Sequence, residues 1–111
     1  MQYLFLIRVD PDVEVSDDED TDVEPWLEEM AARGVRLIGN RLRPVEETRS
    51  VRVRGGSTLV SDGPFTEAKE VIAGFDLIDC ADEAEALEIA AKHPVARFGA
   101  VEVRPLWPLD V

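Results

Sequence analysis

Apolar positions recur with period two at the start of the chain. Over Gln2–Val9, Tyr3, Phe5, Ile7 and Val9 share one parity, and Leu4, Leu6 and Arg8 the other. Both sets are mostly apolar, which predicts a central strand covered on two sides. The pattern then breaks. Residues 10–24 carry nine carboxylates and no base, a density that repels and solvates, so this stretch is expected to be a mobile loop. Helical spacing follows over Glu24–Arg33, with Leu27, Met30 and Ala31 as the apolar stripe and Val23 one turn earlier. Asp22 or Glu24 can cap this helix, Pro25 suits its first turn, and Gly34 stops it.

Period two returns over residues 35–42, and again where Val51 and Val53 alternate with Arg52 and Arg54. Gly55-Gly56 can take positive φ at both positions and Thr58 begins a return strand, so residues 48–61 read as a β-hairpin. Val71–Asp79 is the next strand. Asp82-x-x-Glu85 is a capping box opening a second helix, with Leu87, Ala90 and Ala91 as its buried stripe and Pro94 as its end. Residues 100–106 form the last strand.

With the hairpin set aside, the order is βαββαβ, the ferredoxin-like split βαβ arrangement. The expected fold is therefore α+β: an antiparallel sheet with two helices on one face and an inserted hairpin, in a single domain over residues 1–111. Parity assigns Phe5, Ile7, Phe75, Leu77, Val101 and Val103 to the helix-covered face. It assigns Leu4, Leu6, Arg8, Ile72, Asp76, Ile78, Glu102 and Arg104 to the other, which no remaining element covers. A half-apolar face of that size on a monomer invites a second copy of the same sheet, so a homodimer is expected.

The formal net charge is −12. A phosphate backbone needs a basic surface, so nucleic acid is excluded as a partner, and anionic membranes are disfavoured on the same ground. The apolar run at residues 3–7 is too short to span a bilayer. Cys80 has no second cysteine to pair with, and no basic-plus-apolar leader is visible, which together suit a cytoplasmic protein. No zinc spacing, phosphate loop, dinucleotide fingerprint or nucleophile elbow occurs, so no cofactor and no metal are expected. Asp18, Asp20, Asp22 and Glu29 mimic a calcium loop, but Val23 stands where the turn needs glycine.

The segment Asp62-Gly63-Pro64-Phe65-Thr66-Glu67-Ala68-Lys69-Glu70 resembles the signature of the DGPF type of YCII-related proteins. Gly39-Asn40-Arg41-Leu42-Arg43-Pro44, Gly74-Phe75-Asp76-Leu77-Ile78-Asp79 and Gly99-Ala100-Val101-Glu102-Val103-Arg104-Pro105 resemble the same family. The resemblance implies a dimeric α+β barrel, two ferredoxin-like sheets packed face to face. It also implies a small organic acid as ligand in some relatives, a His–Asp pair in the YCII branch, and in others a protein partner linked to an extracytoplasmic-function sigma factor. Trp26, Leu27 and Glu28 stand where that branch has its histidine; His93 is the sole histidine here.

Candidate site residues follow. Asp62 is acid, base or anchor in a pocket walled by Phe65, or else a turn residue. Glu67 and Lys69 either reach that pocket or form a solvated face. Arg8, Asp76, Glu102 and Arg104 share a parity, so they form either a carboxylate-binding ionic cluster or a network setting dimer register. Asp62 and Asp76 are the catalytic candidates, for acid–base work beside a carbonyl. The split βαβ topology is expected to set the strand of Asp76 parallel to the first strand, beside Arg8. His93 is either a general acid or base or a cation that favours the dipole at a helix C-terminus, and Trp26 and Trp107 read as packing residues. A small-molecule-binding domain or acid–base enzyme, a regulatory partner, and a structural domain without chemistry all remain open, as does whether the chain is an enzyme.

Overall fold

In the computed structural model, residues 1–63 and 69–110 are described. The elements are β1 (Gln2–Val9), α1 (Glu24–Arg33), β2 (Arg36–Arg41), β3 (Arg49–Arg54), β4 (Ser57–Asp62), β5 (Val71–Asp79), α2 (Glu83–Ala91) and β6 (Ala100–Pro105). Short 3-10 turns precede β3 and β6, at Val45–Glu47 and Pro94–Arg97. β2, β5, β1 and β6 form one sheet in that order, and β3 and β4 form a separate ribbon. All pairings are antiparallel. The fold is α+β and ferredoxin-like, with the hairpin inserted between β2 and β5.

The sheet corrects one expectation: β5 neighbours β1 but runs antiparallel to it. In βαββαβ order the helix returns the chain, so β1 and β2 share a direction, and β5 reverses after β2. A second correction concerns the parity of β5. Tyr3 faces Ile78, Phe5 faces Asp76 and Ile7 faces Gly74, which puts Gly74, Asp76 and Ile78 on the helix side. Phe75 and Leu77 lie on the open side, half-buried. A bulge shifts the register between Ile7 and Arg8, so Ile72 returns to the open side opposite Arg8. The open face therefore carries Leu4, Leu6, Phe75, Leu77 and Ile72, more apolar than alternation alone indicates.

The core joins Tyr3, Phe5 and Ile78 of the sheet to Trp26 and Met30 of α1 and Ala86, Ile89 and Ala90 of α2. Phe5, Met30, Ile78 and Ile89 are fully buried, each worth about 1.5–3 kcal/mol in apolar area removed from water. Met30 and Ala90 lie in the core as their stripes predict, and Val23 and Leu27 pack against it, while other stripe positions shift to their neighbours. In α2, Ala86 and Ala90 let the backbone approach the sheet and Ile89 fills the gap, which leaves Leu87 half exposed and Ala91 exposed. In α1, Trp26 takes the inner position and Ala31 faces out. Trp26 Nε1–H donates to the Ile89 carbonyl at 3.0 Å, which ties the helices together. Trp107, in the tail, is 94% exposed and packs on nothing.

The ends of the helices follow local chemistry. Asp82 accepts from the Glu85 N–H at 2.9 Å, and the Glu85 carboxylate accepts from the Ala81 N–H, one residue ahead of the cap. Val23 is the N-cap of α1 and gives no side-chain cap; Asp22 instead takes the Glu24 N–H at 3.0 Å. Arg33 bridges Glu29 of its own helix to Glu85 and Glu88 of α2. Gly55 and Gly56 both have positive φ and close the tight turn of the ribbon. Partners for the acidic segment come from outside it: Arg97 reaches Glu19 at 3.1 Å, and Lys69 lies 3.8 Å from Asp10. Among the described residues, no helix is long and apolar enough to cross a membrane.

Candidate functional site

Asp76 sits in the middle of β5, opposite Phe5 of β1 and Gly39 of β2. It is buried, and its Oδ1 accepts a 2.7 Å hydrogen bond from Arg36 Nε. Arg36 and Gly39 reach the same side of β2 because the register shifts between Arg36 and Ile38. A Cβ at position 39 would overlap the Asp76 carboxylate and press on the Arg36 guanidinium and the Phe75 carbonyl. Glycine is what lets the pair form across the strand. Burial pushes the Asp76 carboxyl above its ordinary range, and the hydrogen bond and charge of Arg36 pull against that rise.

His93 is buried as well. It follows α2 and caps the turn Pro94–Arg97, its Nδ1 accepting the Val95 N–H at 3.1 Å. With Nδ1 an acceptor, the neutral ring carries its hydrogen on Nε2. Burial depresses its pKa to about 4, so the ring is neutral near pH 7. It meets Trp26 edge-on, ring centroids 4.7 Å apart at 64°.

Asp76 and His93 line one cleft between α1, the Pro94–Arg97 turn and the sheet, with a volume of about 530 Å³. Ile7, Val9, Val23, Leu27, Ala73 and Val95 give it apolar walls. Arg36, Asn40 and Arg41 add polar groups beside Asp76 and His93. A mostly apolar hollow with a few convergent polar groups, two of them with shifted pKa values, has the composition of a small-molecule site. Chemically it offers a carboxylate of raised basicity held by a guanidinium, a neutral imidazole donor, and an exposed arginine suited to an anion.

The residues singled out in the sequence are distributed differently. Asp62 ends β4 with its side chain 89% exposed, 3.3 Å from Arg49. Arg8 and Glu102 pair at 3.5 Å on the open face, and Arg104 lies 3.4 Å from Glu102. Asp76 is on the opposite face, so the structure does not bring Arg8 and Asp76 together. Lys69 is exposed near Asp10. Phe65 and Glu67 lie outside the described residues. Arg36 escaped the sequence reading; His93, for which a helix-end cation is one expectation there, is instead buried and neutral near pH 7, because burial disfavours its charged form. The His-Pro junction was the available signal for His93, since a histidine before a turn-forming proline can cap that turn.

The profile of the YCII-related domain matches residues 1–110. The chain belongs to the YCII-related family. An uncharacterized protein of Rhizobium meliloti (strain 1021) is 47% identical over 68 residues, which is 60% of this chain and 55% of the relative. The YCII-related chain thus spans about half the length of the curated relative it matches. In this YCII-related domain, the histidine and aspartate that line one cleft come from α2's end and from β5.

Proposed function

We propose that the chain is a cytoplasmic, homodimeric small-molecule-binding domain whose cleft on the helix side takes a small organic acid and supports acid–base chemistry beside a carbonyl. One observation carries this reading: a buried aspartate with raised pKa and a buried neutral histidine line the same cleft. In this reading Asp76 is the base that takes a proton next to the ligand carbonyl. The Nε2–H of His93 donates to the carbonyl oxygen as charge develops there. Arg41 meets the ligand carboxylate, and Arg36 holds Asp76 in place. The reaction class is an isomerisation or elimination that starts from proton abstraction.

The homodimer is supported by the open sheet face, where Leu4, Leu6, Phe75 and Leu77 are half-buried while Ile38 and Ile72 are exposed. The cytoplasmic location is supported by the lone, buried, unpaired Cys80.

The test is thermal stabilisation by a panel of small mono- and dicarboxylic acids. A positive shift in the wild type, lost in Asp76→Asn and in His93→Gln with the fold intact by circular dichroism, is expected. No acid giving a shift, or shifts that survive both substitutions, would remove the reading.

A further inference from the structure

The ribbon β3–β4 stands apart from the rest of the molecule. Among the described residues, its strands pack chiefly on each other and belong to no larger sheet. The radius of gyration is 16.3 Å, against about 13 Å for a compact domain of this length, and the molecule extends 48 × 45 × 19 Å. A two-stranded hairpin alone in water is at best marginally stable, so a ribbon of this kind needs a surface to lie on.

Its two sides differ. Val51 faces Val60 and Val53 faces Thr58, which sets three valines on one side, each about 60% exposed. Arg52 and Arg54 lie on the other side with Leu59 and three serines, Ser50, Ser57 and Ser61. With Arg49, the ribbon holds three arginines against one aspartate, in a chain whose net charge is −12. The acidic complement to this basic ribbon is therefore the rest of the same chain. The base of the ribbon is closed by its own bonds: the Gly63 N–H donates to the Thr48 carbonyl at 2.9 Å and Ser50 Oγ–H to the Gly63 carbonyl at 2.6 Å. Six residues of strand give a reach of about 20 Å, and two sheets pack about 10 Å apart. The ribbon is long enough to pass a sheet-to-sheet contact and reach the far protomer.

We propose that β3–β4 is a dimerisation arm that lies on a second copy of this chain, its valines on apolar surface and Arg52 and Arg54 toward the acidic body of that copy. The inference rests on the homodimer reading and adds to it the element that clasps the partner. Dimerisation then draws on two separate surfaces, the open sheet face and the arm. Because the sheet contact sets two acidic bodies together, the basic arm offsets part of their repulsion.

The experiment uses full-length Val53→Cys in a Cys80→Ala background, with a benzophenone photo-crosslinker on the new thiol. Unlabelled and 15N-labelled protein are mixed in equal amounts, irradiated and digested. Mixed-isotope peptides joining position 53 of one chain to the other are expected. In parallel, Val51→Ser with Val53→Ser should weaken the dimer at least about tenfold in sedimentation, with the melting curve otherwise native. Crosslinks confined to one chain, or an unchanged dissociation constant, would overturn the arm and leave the sheet-face dimer standing. A monomer by sedimentation would overturn both.

Discussion

Arg36 donates to Asp76 at 2.7 Å across the space that a side chain at position 39 would occupy. This relationship couples Arg36 and Gly39, both on β2, to Asp76, which lies 40 residues beyond Arg36. It makes the backbone at Gly39 part of the candidate site.

Gly39→Ala should therefore damage the site without touching a charge. The methyl group would meet the buried Asp76 carboxylate, the Arg36 guanidinium and the Phe75 carbonyl, and the strand carbonyl cannot swing aside. Overpacking of this kind costs about 1–3 kcal/mol. Urea unfolding should show a lower midpoint, and an unchanged midpoint would mean the pair relaxes freely.

Arg36→Met removes the group that opposes the rise in the Asp76 pKa. Burial then acts alone, and the carboxyl rises further. A carboxyl whose folded pKa lies above its unfolded value favours folding at low pH, and that contribution is lost as pH rises through the folded value. The variant should thus lose more stability at about pH 7 than at about pH 4.5. The Arg36 side chain keeps 27% exposure, so the loss should fall below the ~3–5 kcal/mol of breaking a fully buried pair. Equal losses at both pH values would contradict the assignment.

His93 gives the opposite sign. Its folded pKa of about 4 lies below the ordinary 6.5, so the unfolded chain binds the proton more readily. The stability it permits is complete above about pH 6.5 and falls progressively toward pH 4. The ceiling on that loss is about 3 kcal/mol, reduced by whatever solvent reaches the ring. The difference in stability between wild type and His93→Gln should shrink or reverse as pH drops through this window. A difference that stays constant from pH 7 to pH 4 would show that the ring is not held neutral by burial.

Leu6→Asp places a charge on the open sheet face, opposite Glu102 of β6. If two sheets meet there, the buried unpaired carboxylate should dissociate the dimer. Light scattering is expected to give dimer mass for the wild type and monomer mass for the variant. A wild-type monomer at micromolar concentration would end the dimer reading.

Much of the fold was legible because its signals are local. Gly55-Gly56 needs both positive φ values and gives its hairpin; Asp82 and Glu85 cap α2 as their spacing indicates. The inner parity of β1 and β6 also follows from alternation, since Phe5 faces Val103 and Ile7 faces Val101. β5 was misread for a physical reason. Asp76 looks like an open-face residue until Arg36, 40 residues away, supplies its partner. Burying a carboxylate then becomes tolerable, and Phe75 and Leu77 turn outward. The bulge near Ala73, which restores Ile72 to the open side, leaves no mark in alternation. His93 was opaque for a similar reason: its neutrality comes from burial against Trp26, a contact between residues 67 apart in the chain.

In the proposed function the ligand occupies the cleft that Asp76 and His93 line. Chemical-shift mapping tests it most directly, by titrating the panel of small carboxylic acids into 15N-labelled protein. Saturable shifts are expected at the amides of Gly39, Gly74 and Val95 and at the His93 ring, absent in Asp76→Asn. Shifts confined to Arg8, Glu102 and the segment around Asp62, or none with any acid, would contradict it.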